Sequence, residues 1–108
     1  MNMKAEEPDK DRSEEQATMF SAFSDPTRLR LIMLLAHQEV PGALCVNALA
    51  GILGVSQSAV SQHLRILKNI GLVSGERQGY RIHYTINHAA LKHCHDLMSE
   101  VLKVEAED

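Results

Sequence analysis

The stretch Leu49-Ala50-Gly51-Ile52-Leu53-Gly54-Val55-Ser56-Gln57-Ser58-Ala59-Val60-Ser61-Gln62-His63-Leu64-Arg65 reads as a helix, a tight turn and a second helix. Gly54 fits the left-handed position that closes the first helix, where a side chain costs energy. Ser56 offers its hydroxyl as N-cap of the second. In that second helix Val60, Leu64 and Leu67 recur at helical spacing as a buried stripe. The opposite face carries Gln57, Ser58, Ser61, Gln62, Arg65 and Lys68, with hydrogen-bonding groups, positive charge and no carboxylate. Any amphipathic surface helix has a polar face, and helix-turn-helix geometry also occurs in bundles that bind nothing. An acid-free polar face, however, suits base edges and phosphates in a DNA major groove.

The residues that follow strengthen this reading. Gly71 ends the second helix. The runs Leu72 to Arg77 and Tyr80 to Ile86 then flank Gln78-Gly79. The second run alternates, with Tyr80, Ile82, Tyr84 and Ile86 on one face and Arg81, His83 and Thr85 on the other. Alternation around a Gly-containing turn is a hairpin signal. A hairpin that carries Arg77 and Arg81 directly after such a helix is a wing. The fold class expected is mainly α with a small β-hairpin, a winged helix-turn-helix.

Upstream, residues 1–12 are polar and charged with one proline, and are expected as a disordered acidic tail. The folded unit is expected over 13–108. Ser13-Glu14-Glu15-Gln16 has capping-box spacing and opens a first helix whose apolar stripe is Ala17, Phe20 and Phe23. That helix stops at Ser24, and Asp25-Pro26 restarts the chain as N-cap and first-turn proline. Leu29, Leu31, Ile32, Met33, Leu34, Leu35 and Ala36 follow, apolar on nearly every side, which predicts the central core helix. Arg28 and Arg30 sit at its start, the end least favourable to cations, and so need partners or phosphate. Pro41-Gly42 marks a turn, Ala43 to Val46 a short strand beside the wing, and Asn47 the N-cap of the helix that runs to Leu53.

Downstream, Asn87 caps a last helix. Ala89, Ala90, Leu91, Cys94, Leu97, Met98, Val101 and Leu102 give it one broad apolar stripe. Part of that stripe returns to the core and part is left to meet a second copy. The expected dimer therefore forms through the first and last helices.

The 108 residues suffice for one domain, small enough for dimerisation to add useful stability. No run of about 18 apolar residues is present, so no transmembrane helix is expected. The N-terminus lacks the apolar core of a signal peptide, and the reading is a cytoplasmic protein without membrane contact. Cys45 and Cys94 are too few for a secreted disulfide framework, and each reads first as a reduced, half-buried thiol. The net charge of -3 argues against DNA only as a total. Between Ser56 and Thr85, Arg65, Lys68, Arg77 and Arg81 face Glu76 alone, whereas acids crowd both ends. Placement governs phosphate binding more than the sum does. Four cations per protomer are still a thin footprint, which favours a dimer as the reader.

Phe20-Ser21-Ala22-Phe23-Ser24-Asp25-Pro26-Thr27-Arg28-Leu29-Arg30, together with Leu53-Gly54-Val55-Ser56-Gln57-Ser58-Ala59-Val60-Ser61-Gln62-His63-Leu64, resembles the ArsR/SmtB family of winged-helix repressors. The likeness runs from about Phe20 to about Ile86. Its Asp-Pro-x-Arg-Leu and Ser-x-Ser-x-Val-Ser-x-His-Leu signatures together are far more specific than a lone helix-turn-helix. The resemblance implies a dimeric DNA-binding repressor, of a kind that often releases DNA when a metal ion or an oxidant binds. Two-fold symmetry makes the expected partner double-stranded DNA with an inverted repeat, its halves roughly 34 Å apart.

Family members often place a Cys-x-Cys pair at the start of the helix before the turn. Here the matching stretch is Leu44-Cys45-Val46-Asn47-Ala48-Leu49, in which Asn47 replaces the second thiolate. Others use an Asp-x-His start and a later His-x-x-His or His-x-x-Glu pair on the last helix. This chain has His88 and Ala90, then Val101 and Val104, at those places. Both familiar metal sites are broken.

No phosphate-binding Gly loop, His-Glu-x-x-His or nucleophile elbow is present, so an enzyme is not expected. His63, on the border of the buried stripe, reads as a packing residue rather than a base. For an effector there remain His88, His93, Cys94, His95 and Asp96 on the last helix. At about 100° per residue Cys94 is mid-stripe and His93 and His95 are on opposite borders, so one helix cannot aim them all at one ion. His88 and His95 share a face, and a soft ion could join Cys94 to a histidine of the partner helix. No cofactor is certain. A transition-metal ion is the candidate effector, with His88, His93, Cys94 and His95 as candidate ligands, and an oxidant acting on Cys94 is its alternative. The plain reading makes Cys94 a small core residue and the histidines solvated edges. The expected function is a sequence-specific repressor released by an effector. Its rivals are an effector-independent regulator on the same scaffold and a structural dimerisation module that binds no DNA.

Overall fold

Three of the helix starts follow from caps that the sequence spells out. The side chains of Asp25, Ser56 and Asn87 accept the amides of Arg28, Ala59 and Ala90 at 3.0, 3.1 and 3.0 Å. Each satisfies an N-terminal donor that a helix leaves without an internal partner. In a computed structural model, residues 7–103 are described. They form α1 (Lys10–Ala22), α2 (Pro26–His37), β1 (Leu44–Cys45), α3 (Val46–Leu53), α4 (Gln57–Asn69), β2 (Val73–Gln78), β3 (Arg81–Ile86) and α5 (His88–Leu102). The strands make one antiparallel sheet in the order β1-β3-β2. This is the mainly helical winged helix-turn-helix expected.

One core joins all five helices to the base of the sheet. Leu31, Leu49, Val60, Leu67, Leu72 and Leu97 are wholly buried in it. α1 and α5 run antiparallel along one side. Gln16 Nε2 donates to Leu97 O at 3.1 Å, Cys94 Sγ to Met19 Sδ at 2.9 Å, and the Arg12 guanidinium is paired with Glu100. Among the described residues no helix is long and apolar enough to cross a membrane.

Several local expectations need correcting. α1 starts at Lys10, with Asp9 as the cap that accepts Arg12 N at 2.9 Å, and Ser13 Oγ merely donates back to Asp9 O. A tail extending to residue 12 is therefore too long, while residues 1–6 lie outside the described ones. The cap that sets this start is local, and Arg12 in the first turn is in addition paired with Glu100 of α5. The residues α1 buries are Met19 and Ala22; Phe20 and Phe23 are half-buried and Ala17 is exposed. α3 starts at Val46, so Asn47 lies inside it, and its Oδ1 accepts Gln57 Nε2 at 3.0 Å rather than capping. α2 is core on one side only. Leu31, Ile32 and Leu35 are buried, but Leu29 and Met33 are 40% and 54% exposed. Met33 borders an open apolar groove of about 650 Å³ shared with Val40, Leu44 and Ile52. Arg28 and Arg30 do find partners at the unfavourable helix end. Arg28 Nε donates to Ala22 O at 2.8 Å and Arg30 Nη1 to Leu53 O at 3.3 Å, the C-terminal carbonyls of α1 and α3.

Candidate nucleic-acid interface

α4 is aimed by the turn before it and pinned by its own apolar stripe. Gly54 takes φ 68° and ψ 32°, a left-handed conformation that a side chain disfavours. The amides of Gly54 and Val55 both reach Ala50 O, at 2.9 and 3.2 Å, which turns the chain sharply out of α3. Val60, Leu64 and Leu67 then bury one side of α4 almost completely. The helix cannot rotate without exposing them, so Gln57, Ser58, Ser61, Gln62, Arg65 and Lys68 are held outward together, all exposed. Gln57 differs from the others in being tied to Asn47. Lys68 also lies in the last turn, where the helix dipole favours a cation.

The wing lies beside this face. Its turn is Gly79-Tyr80 rather than Gln78-Gly79, because Gln78 pairs with Arg81. Gly79 supplies the positive φ of 66° that a two-residue hairpin turn needs at its first position. Tyr80, expected on the apolar face of the strand, therefore stands in the turn and is fully exposed. Arg77 pairs with Ile82 and Gln78 with Arg81, so Arg77 and Arg81 emerge on opposite faces of the ribbon near its tip. The base of the ribbon is held firmly. Leu44 and Cys45 pair with Tyr84 and His83, His83 Nδ1 lies 2.7 Å from Gly42 O, and Gln38 Nε2 donates to Tyr84 O at 3.1 Å. Burial pushes the Tyr84 hydroxyl up from its ordinary pKa.

A cleft of about 530 Å³ separates α4 from the wing, lined among others by Cys45, Asn47, Gln57, Ser61 and Arg81. The Cys45 thiol makes no capping hydrogen bond in this conformation. It nevertheless lies against the backbone amides of Ala48 and Asn47 at the start of α3, with Arg81 nearby, and these hold its pKa below that of an ordinary thiol against the effect of burial. The other thiol behaves in the opposite way. Cys94 is 2% exposed and packs on the Met19 sulfur, and desolvation pushes its pKa up. That is the environment of an inert core cysteine, not of a redox-sensitive one.

The remaining effector candidates do not converge within the protomer. His93 Nε2 is 2.6 Å from Glu15 Oε1 of α1, and His95 Nδ1 is 3.4 Å from Asp96 Oδ1. His88 is exposed at the start of α5. Among the described residues no three His, Cys, Asp or Glu side chains could hold a metal ion together. The donor set of one protomer does not fit a metal.

The Asp25 cap, the Gly54 turn, all of α4 and the start of the wing fall within residues 25–74, which match the family described as bacterial regulatory protein, arsR family. A transcriptional repressor SmtB homolog of Synechocystis sp. is 44% identical over 91 residues, covering 84% of this chain and 64% of that relative's own length. An HTH-type transcriptional regulator of Methanocaldococcus jannaschii is 33% identical over 87% of this chain and 94% of its own. The chain belongs to the ArsR family. A solved homodimeric winged helix-turn-helix DNA-binding domain from Mycobacterium bovis, described as a possible ArsR-family regulator, superposes with a TM-score of 0.66 at 26% identity, covering 98% of this chain and 97% of that one. ArsR-family proteins are transcriptional regulators and not enzymes, in accord with the missing catalytic motifs. What reading the sequence missed at this ArsR-type site is the support behind α4. Asn47 braces Gln57, and Arg28 reaches His63. The one available signal was the pair of arginines at the wrong end of α2.

Proposed function

We propose that this chain is a cytoplasmic homodimeric repressor of transcription that reads an inverted repeat in double-stranded DNA. The observation that carries the reading is the exposed, acid-free face of α4, locked outward by Val60, Leu64 and Leu67. Gln62 and Arg65 have the reach for base edges in the major groove. Gln57 and Ser58 at the helix start, with Ser61 and Lys68, serve phosphate and register. Arg77 and Arg81, one on each face of the wing tip, suit a groove walled by two phosphate strands. The second copy packs on α1 and α5, where Val101 and Leu102 are 53% and 64% exposed and Leu91 and Met98 are only half-covered. The homodimeric Mycobacterium bovis domain supports a homodimer. The experiment is selection of duplexes from a random pool, followed by gel shift and sedimentation. The expected result is enrichment of a two-fold sequence bound by a dimer. Failure to enrich any sequence, or equal binding of half-sites by a monomer, overturns it.

A repressor released by an ion would need ligands from both protomers. On α5 the exposed His88 and His95, together with His93 if it leaves Glu15, are the ones free to be shared; Cys94 is not. Operator affinity measured with and without Zn(II), Ni(II), Cd(II) and As(III), in the parent and in His88→Ala/His95→Ala, tests this. No effect of any ion favours the effector-independent regulator.

A further inference from the structure

Arg28 stands in the first turn of α2, yet three groups of two other helices hold its guanidinium. Nε and Nη2 donate to Ala22 O at 2.8 Å and Ser21 O at 3.2 Å, the last turn of α1. Nη1 lies 3.3 Å from Nδ1 of His63, which is on α4. A guanidinium can only donate, so Nδ1 must carry a lone pair in this contact. The other ring nitrogen, Nε2, lies 3.9 Å from Asp25 Oδ1. Asp25 is fixed in turn by the amide of Arg28. His63 is half-buried and sits between the core residue Leu64 and the groove-facing Gln62. One side chain thus bridges the end of α1 and the middle of α4.

We propose that Arg28 is a positioning residue for operator binding, which fixes α4 against α1 through His63. The inference rests on the DNA-binding reading above. α1 is part of the proposed dimer seam, and a dimer must hold two recognition helices at the separation of its two half-sites. A slack joint between α1 and α4 lets both helices drift from that separation. Lysine cannot replace the arginine, because a single ammonium cannot reproduce a planar fork that bonds two carbonyls and a ring nitrogen at once. The charged groups that face His63 are Arg28 and Asp25.

The test uses the duplex selected by the parent protein and reads the ratio of its affinity to that of random DNA. A ratio cancels any change in general phosphate attraction. Arg28→Lys and His63→Leu are each expected to lower the ratio about tenfold, a change of about 1.4 kcal/mol, with the dimer intact in sedimentation. His63→Gln keeps an acceptor toward Arg28 and is expected to stay near the parent. Unchanged ratios in Arg28→Lys and His63→Leu overturn the proposal, as does a His63→Gln ratio as low as that of His63→Leu. Should Arg28→Lys fail to fold, the contrast between His63→Gln and His63→Leu decides it alone. A parent that selects no duplex overturns the DNA-binding reading itself, whereas a binding parent with indifferent variants overturns only the role of Arg28.

Discussion

A methyl group added at Gly75 would lie 2.7 Å from Ile82 Cγ2 and 2.9 Å from Tyr84 Cε1, closer than real contacts allow. Tyr84 is buried and its backbone is paired on both sides, so the strand cannot shift to make room. Gly75→Ala is expected to destabilise the protein by about 1–3 kcal/mol through overpacking, and thermal unfolding reads it directly. An unchanged melting temperature would mean that the wing relaxes freely. On α4, Gln62→Ala should cost about 1–3 kcal/mol for one lost bidentate contact, and only on the preferred sequence. Equal weakening on operator and random DNA would remove its base-reading role. The cysteines make a third contrast. Cys45 has a lowered pKa and lines the cleft, whereas Cys94 has a raised one and is sealed under α1. Iodoacetamide should label Cys45 in the folded protein and Cys94 only after unfolding, with mass mapping as the check. At this scale the sequence was readable wherever a residue acts on its near neighbours, as Gly54 and Ser56 do. The roles of Gly75 and Cys45 depend on what lies across the sheet or at the next helix start, and no local pattern announces them.

Elements were legible in proportion to how local their causes are. α2, α4 and α5 start where Asp25, Ser56 and Asn87 put them, because a cap is decided within four residues. α1 was misplaced although its cap is equally local, because Asp9 rather than Ser13 accepts the Arg12 amide. The wing was found by alternation, but its turn was set one residue early because Gly79 was read as the second turn residue rather than the first. The cap of α2 also gives that element a pH dependence. The backbone amide of Arg28, more than any other group, holds the Asp25 carboxyl below its ordinary pKa. A carboxylate depressed in the folded state stabilises the protein above its unfolded pKa, about 3.9 for Asp, and the contribution is lost as pH falls through the folded value. Asp25→Asn keeps a capping oxygen without that titration, so its acid unfolding should be less steep than the parent's, as followed by circular dichroism. For the wing, Arg77→Ala/Arg81→Ala removes two cations from each protomer of the proposed dimer, and should weaken operator and random DNA alike and flatten the dependence on salt by roughly 3.6 units of slope. An unchanged slope would place the wing away from the phosphates.

At the scale of the whole molecule, the proposed reading makes one protomer an incomplete reader. It would offer Lys68, Arg77 and Arg81 to phosphate and Arg65 to base edges, in a chain whose overall charge is -3. In the sequence the proposed second copy is signalled by the apolar stripe of α5, whose end stays exposed at Val101 and Leu102. No effector is signalled as clearly, since among the described residues the candidate ligands do not converge within one protomer. Val101 and Leu102, at the end of that stripe, are exposed and outside the core cluster, so charge placed there should spare the fold. Val101→Glu/Leu102→Glu sets carboxylates against their own copies across the two-fold axis and is expected to give a folded monomer in sedimentation. Each cation that neutralises a phosphate adds about 0.9 to the salt slope of binding. Losing one protomer's phosphate contacts should therefore roughly halve the slope, together with a large loss of operator affinity. A monomer that keeps the parent slope would show that one protomer reads the whole site. A variant that stays dimeric would move the seam away from the end of α5, toward Phe20 and Leu91.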